Sequence, residues 1–182
     1  LANQNERVYL WDLDRQHSAL EWLNLRPASL STIRRLDEPD NTQLPRVKGG
    51  AWTILDSPAG LHGKNLSHAV RRVHKILVPV QPSAFDMAAT QDFLDGLMEE
   101  KEVRKHRTSI GVVGMRVDPR TRAATILEQF LQQYDLPVLT YLRDTMVYVN
   151  AAFAGEGIFD LPHYVSDQDR EQWGPVIEWV RG

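Results

Sequence analysis

The chain has 182 residues, 42% hydrophobic and 25% charged, with 21 Lys+Arg against 24 Asp+Glu and no cysteine. That composition describes one globular domain, 1–182, with a substantial core, and excludes a disordered or low-complexity chain. Zero cysteine removes disulfides, cysteine zinc sites, iron–sulfur clusters and thiol nucleophiles together, so any metal sits on oxygen or histidine.

A net charge of -3 argues against a wholly basic nucleic-acid-binding surface and leaves room for a local patch. No apolar run approaches the roughly 18 residues of a membrane span. Leu1 carries neither an initiator Met nor a signal-like segment, which points to a chain that begins partway into a longer protein.

Short Val- and Ile-rich runs alternate with stretches of helical period, the α/β pattern. Val8 to Trp11 reads as a strand ending in Asp12, and Ser18 to Leu25 as a helix stopped by Pro27. Arg26 to Leu44 reads as irregular, with a short helix around Leu30 to Leu36. Ala51 to Leu55 is a second strand ending in Asp56; Leu66, Val70 and Val73 give helical spacing, and Ile76 to Val80 is a third strand. Ser83 is the expected N-cap of a helix of some twenty residues, with Phe85, Ala89, Phe93 and Leu97 stepping by four. Glu99 to Arg107 is a mixed charge run, read as a solvated helix face. Ile110 to Val113 is a strand, Pro119 to Tyr134 a helix, Pro137 to Leu142 a fifth strand, and Asp144 caps a helix reaching Gly155. Ser166 to Gly182 is an amphipathic helix interrupted at Pro175. Its Asp167, Asp169, Glu171 and Glu178 do not suit a membrane-surface helix, so it is expected to pack on the domain.

In an open parallel sheet, ligands bind beyond the carboxyl ends of the strands. Asp12 and Asp56 end two of the five strands, and Asp14 follows closely. Carboxylates converging there hold Mg²⁺ through water and orient an attacking water in phosphoryl transfer. The alternative, strand-end aspartates that cap helices or make turns, stands beside it with equal weight. The six histidines show no metal-ligand spacing. No G-x-x-x-x-G-K-[ST] loop is present: Lys48-Gly49-Gly50 precedes a strand instead of following one, and Gly63-Lys64 is followed by Asn65.

Arg7-Val8-Tyr9-Leu10-Trp11-Asp12-Leu13-Asp14-Arg15-Gln16-His17-Ser18-Ala19-Leu20-Glu21-Trp22 resembles the "RVLLIDxDPQxSAxxW" segment of ParA/MinD-type partition ATPases. Thr53-Ile54-Leu55-Asp56-Ser57-Pro58-Ala59-Gly60 resembles their Walker B and switch segment, "xxxIDTPAG". Val78-Pro79-Val80-Gln81-Pro82-Ser83 with Phe85-Asp86, and Val117-Asp118-Pro119-Arg120-Thr121, are similar to later segments, the last in small orphan members. The resemblance implies a three-layer α/β/α, mostly parallel P-loop NTPase fold and Mg²⁺-dependent ATP hydrolysis to ADP coupled to homodimerisation.

By that resemblance Asp14 positions the attacking water, Asp12 supports the magnesium and phosphate network, and Asp56 holds Mg²⁺ through water. Pro58, Ala59 and Gly60 match the γ-phosphate switch. Met115, Arg116, Leu142, Arg143 and Asp144 fall in the two strand-end loops that flank the base; family members often have Asn where Met115 stands and Pro where Leu142 stands. Arg15 replaces a usual Pro. The family's first strand, its "KGGxGKT/S" phosphate loop and most of a helix, on the order of 30 residues, would precede Leu1, and the chain without them is expected to bind ATP poorly.

The function implied is a cytoplasmic, nucleoid-associated bacterial protein that binds DNA non-specifically as an ATP dimer. A ParB-like or cargo-adaptor protein would stimulate hydrolysis and release it, with a plasmid, chromosome region or protein assembly as cargo. Candidate DNA contacts are Arg71, Arg72, Lys75, Arg120 and Arg122, which would meet phosphates without reading bases; ordinary solvated surface is the other reading of each. The alternatives are a MinD-like positioning protein, which lacks here the expected basic amphipathic tail for a membrane, and a non-catalytic module of the same fold.

Overall fold

The computed structural model describes residues 1–36 and 50–182. Lys48 and Gly49, and the expected irregular segment from residue 37 to Leu44, lie outside the described residues. The chain divides into two compact units, Leu1–Ala59 with Met146–Ser166, and Gly60–Thr145 with Asp167–Gly182.

In the first unit, β1 (Val8–Asp12) lies between β2 (Ile33–Arg35) and β3 (Trp52–Asp56), all parallel. Its register with β3 runs from Val8 against Trp52 to Asp12 against Asp56, so the two aspartates end neighbouring strands at one level. Val8, Leu10, Trp11 and Asp12 are buried, as expected where a parallel strand is covered on both faces. Between β1 and β2 the chain crosses over through α1 (Ser18–Leu25), because parallel neighbours need a long connection. α1 also packs against α6 (Met146–Phe153). Gly155 sits at φ +67° against the end of α1, where an added Cβ would overlap the carbonyl group of Leu25 and the nitrogen of Arg26.

One buried ion pair ties this unit together. Arg26 Nη1 donates to Asp160 Oδ2 at 2.7 Å and Nη2 to Oδ1 at 3.1 Å, with the two side chains only 6% and 5% exposed. Asp160 also accepts from Asn3 Nδ2 at 2.9 Å and from the Gly157 amide at 2.8 Å. Burial, the largest influence, pushes this carboxyl's pKa up, but the combined pull of Arg26, Gly157 and Asn3 leaves it below the ordinary value.

In the second unit, β4 (Lys75–Val80), β5 (Ser109–Gly114) and β6 (Val138–Tyr141) form a parallel sheet in that order. Successive strand residues point to opposite faces, and the core follows suit. On one side Val112 joins a cluster with Leu66 and Val70 of α2 (Gly63–Val70), Leu94 and Leu97 of α3 (Ala84–Met98), and Leu127 and Leu131 of α5 (Arg122–Leu131). Val113 joins a second cluster with Leu142 and with Val176 of α7 (His163–Arg181). Among the described residues there is also a short α4 (Lys101–Arg104), with single 3-10 turns at Ala2–Gln4 and Ile158–Asp160.

The structure corrects several local expectations. The segment 33–35 is a strand and not part of a helix: Ile33 is half-buried, and Arg34 lies over the Tyr9 ring at 6.0 Å, so edge pairing with β1 wins over weak helical period. The buried stripe of α3 contains Leu94 and Leu97, while Phe85 is 90% exposed and Ala89 is also exposed. α5 begins at Arg122 and not Pro119, because the Thr121 side chain accepts from the Ala124 amide at 3.2 Å and makes the cap. α7 begins at His163, ahead of Ser166, with Pro162 just before its first turn, where a missing amide hydrogen is tolerated. Ser83 does cap α3, its hydroxyl accepting from the Asp86 amide at 3.4 Å.

Candidate functional site

The first unit brings Asp12, Asp14 and Asp56 to the carboxyl end of its sheet. Asp12 is buried, and both of its carboxylate oxygens meet backbone amides: Oδ1 accepts from Asp14 at 2.9 Å and Oδ2 from Leu20, in the first turn of α1, at 3.2 Å. It therefore fixes the turn that leads from β1 into α1 and offers its charge to that helix's positive end. His17 Nδ1 stands 3.9 Å from Asp12 Oδ1, with its side chain 59% exposed. Asp14 Oδ1 accepts from the Gln16 amide at 3.0 Å, a local turn bond that leaves Oδ2 for other partners.

Asp56 is half-buried at the end of β3, and its carbonyl accepts from the Leu13 amide at 2.8 Å, which holds the two strand ends level. Its pKa is raised, first by burial and then by the negative charges of Asp12 and Asp14, against a lowering bond from the Ser57 amide. Three carboxylates thus crowd one strand end. A divalent cation would relieve that repulsion, and hard oxygen donors suit Mg²⁺. Among the described residues no group of three His, Asp or Glu side chains converges tightly enough to ligate a metal directly. Of the three, Asp12 has both oxygens on backbone amides, which leaves Asp14 and Asp56 as the carboxylates that could face such a cation. After Asp56 the chain passes through half-buried Pro58 and exposed Ala59 to Gly60, at φ +71°, where the second unit begins. His62 Nδ1 lies 2.8 Å from the Gly60 carbonyl oxygen.

The second unit carries the two other candidate loops at the carboxyl ends of β5 and β6. Leu142 is 1% exposed and packs with Val113 and Val176, and Met115 rests against the same cluster, so both side chains serve packing. Arg116, at φ 54°, donates through Nε to Asp144 Oδ1 at 2.9 Å; Asp144 is thus an ion-pair partner on the surface, not the expected helix cap. Arg143 forks onto Asp169 with bonds of 2.9 and 2.8 Å, and its amide donates to Gln172. Asp169 is fully buried, so this pair fixes the loop after β6 onto α7.

The five basic candidates do not form one set. Arg120, 87% exposed, forks onto Asp118 with bonds of 3.0 and 2.8 Å and holds the Asp118 carboxyl down at about 2. Arg122 is exposed on the first turn of α5. Lys75 sits over the Trp179 ring at 5.0 Å and donates to that residue's carbonyl oxygen. Arg71 is exposed and Arg72 half-buried at the end of α2.

No family model matches the sequence, and no curated protein matches it. Solved structures do. The chain superposes on the MinD cell division protein of Aquifex aeolicus with a TM-score of 0.65 and 18% identity, covering 95% of this chain and 86% of that one. A match to the MinC:MinD cell division protein complex of the same organism has a TM-score of 0.65 and 17% identity, over 87% of this chain and 78% of that one. A plasmid partition protein from Borrelia burgdorferi B31 bound to AMPPNP gives a TM-score of 0.68 at 12% identity, over 97% of this chain and 88% of that one. The fold is of the ParA/MinD type. In this ParA/MinD-type fold the parallel strands and flanking helices follow the expected α/β class, and the strand-end carboxylates lie where such sheets take their ligands. The sequence did not reveal Asp160 as the partner of Arg26 or Asp169 as the partner of Arg143, since neither separation matches a local motif.

Proposed function

We propose that the protein is a ParA-type ATPase, a single nucleotide-hydrolase domain over 1–182, that binds ATP with Mg²⁺, dimerises and positions DNA-linked or protein cargo. The observation that carries the reading is the fold match over 97% of the chain to a partition protein bound to AMPPNP. The strand-end carboxylates support it chemically.

In this reading Asp56 holds the metal through water and Asp14 accepts a hydrogen bond from the attacking water, directing its lone pair at the γ-phosphorus. Asp12 keeps the strand-to-helix turn, and hence Asp14, in place. Bound Mg²⁺ supplies charge neutralisation for the phosphates. Pro58, Ala59 and Gly60 form the segment that follows the γ-phosphate, and the 115–116 and 142–144 loops border the base. Self-association, non-specific DNA and an adaptor protein that stimulates hydrolysis complete the proposal, with cytoplasmic, nucleoid-associated action.

A membrane-positioning variant is less well supported: α7 carries Asp167, Glu171 and Glu178 on its exposed surface, the wrong charge for anionic lipid. The test is ATP hydrolysis with and without Mg²⁺ and DNA, on protein that includes any residues preceding Leu1 in its gene. Asp14→Ala is expected to lower turnover at least ~100-fold while nucleotide binding persists. A folded Asp14→Ala protein that hydrolyses ATP at the original rate would overturn the assignment.

A further inference from the structure

At the amino ends of β1 and β2 the first unit holds a cavity of about 240 Å³, and Asn5, Glu6, Arg7, Ser31, Thr32 and Arg34 give it a polar lining. It lies at the far end of β1 from the strand-end carboxylates: Arg7 and Asp12 are five residues apart along the strand direction, about 16 Å. The 3-10 turn Ala2–Gln4 supplies one wall through Ala2. That turn is fastened from behind, since Asn3 Nδ2 donates to the Phe159 carbonyl at 2.7 Å and to Asp160 Oδ1 at 2.9 Å. Ser31 and Thr32, the two residues ahead of β2, supply another wall.

Strand register decides which charges meet there. Tyr9 pairs with Arg34, and the bond from the Trp52 amide to the Arg7 carbonyl at 2.8 Å carries the ladder back to Arg7. Side chains two apart on a strand share a face, so Arg7, Tyr9 and Arg34 stand on one side of the sheet and Arg35 on the other. The Arg34 guanidinium lies over the Tyr9 ring at 6.0 Å and donates through Nη1 to Tyr9 Oη at 3.4 Å, so the phenol holds it in place. Among the described residues no carboxylate pairs with Arg34. Arg7 Nη2 reaches the Gly50 carbonyl oxygen at 3.4 Å. Two guanidinium groups against the single carboxylate of Glu6 leave the cavity positive.

We propose that this cavity binds the phosphate group of a small phosphorylated metabolite, with Arg34 as its anchor and Arg7, Ser31 and Thr32 completing the donor set. A guanidinium presents its N–H groups as a fork matched to phosphate and carboxylate oxygens. Two forks and two hydroxyls outnumber the two oxygens of a carboxylate and suit a phosphate monoester, which offers three oxygens and close to two negative charges at neutral pH. The volume falls below the ~300–1,000 Å³ of pockets that enclose drug-sized ligands, so the remainder of the molecule is a short carbon chain and not a nucleoside triphosphate. The site is separate from the proposed ATPase centre and stands whether or not that reading does.

The experiment is a titration of the ¹⁵N-labelled chain with glycerol 3-phosphate at constant ionic strength, followed by amide chemical shifts. Saturable shifts are expected at residues 5–8 and 31–34, with a Kd on the order of 1 mM for a small ligand held by a few charge-assisted bonds. Arg34→Gln is expected to weaken binding at least ~10-fold and Arg34→Lys, which keeps the charge and loses the fork, about 3-fold. Arg35→Gln, on the opposite face of the same strand, is expected to bind as the parent does. Arg34 and Arg35 are both exposed, so each variant should keep the parent's circular dichroism spectrum. The proposal is overturned if the shifts do not saturate, if Arg34→Gln binds as tightly as the parent, or if acetate binds with the same Kd. It is also overturned if the shifts fall at residues 12–20, which would put the phosphate at the strand-end carboxylates. Hydrolysis of ATP, measured separately, decides the ATPase reading and leaves this one untouched.

Discussion

Replacing Asp160 by alanine removes a carboxylate that accepts four hydrogen bonds, two from Arg26 and one each from Asn3 and the Gly157 amide. Arg26 would keep only neutral acceptors at this site, the Ser31 carbonyl at 3.1 Å and the Gly155 carbonyl at 3.4 Å, with its side chain 6% exposed. An uncompensated buried guanidinium costs about 3–5 kcal/mol, far above the ~1 kcal/mol of an exposed pair. For a chain of this size that shift lowers the melting temperature by roughly 10 °C. Urea unfolding followed by circular dichroism, with amide exchange at α1 to localise the effect, reads the loss. The charge-free double variant Arg26→Met/Asp160→Leu is expected to recover most of it, because the buried charge goes with its partner. Acid supplies a second reading. Asp160 titrates below its unfolded value, so its contribution is complete above a pH of about 4 and is lost as pH falls further. The difference between the parent and Asp160→Asn should therefore shrink as pH is lowered from about 5 to about 3. A cost under ~1 kcal/mol for Asp160→Ala, equal to that of the double variant, would refute the reasoning.

Asp56 has the opposite sign. Its folded pKa is raised, so the folded state binds the proton more readily and stability falls as pH rises through that range. Asp56→Asn is expected to raise the melting temperature in EDTA at neutral pH by ~2 °C, and to abolish any stabilisation by Mg²⁺ with nucleotide. Arg143→Ala leaves the fully buried Asp169 carboxylate without its fork and should cost about 3 kcal/mol in urea unfolding. Leu127→Ala, at a side chain with no exposure in the main cluster of the second unit, should cost about 3 kcal/mol by the same measurement.

Five strands were legible because their apolar runs are short and rich in Val, Ile and Leu, three of them ending in Asp12, Asp56 and Gly114, and α1 because Ser18 and Pro27 bracket it. β2 was not, since only Ile33 of its three residues is even half-buried and an edge strand leaves little periodicity. On α3, two phenylalanines at helical spacing outweighed Leu94, yet Phe85 faces outward. Of the site, the position of Asp12, Asp14 and Asp56 at strand ends was readable from the sequence. How Asp12 divides its two oxygens between Asp14 and Leu20 was not, because that depends on the path of the intervening turn. Asp144 looked like a cap and instead meets Arg116, 28 positions earlier.

Gly155 sets main chain directly against main chain at the end of α1, with no room for any side chain. Substitutions there should be rejected almost without regard to chemistry, and Gly155→Ala should cost about 2–3 kcal/mol from overlap and the left-handed backbone together. The nearby helix surface is under the reverse constraint. Met146 and Phe153 are 64% and 81% exposed, so a saturation library of this helix should tolerate polar residues at both. A strict glycine beside freely drifting neighbours is the mutational profile expected of a helix seated by its backbone.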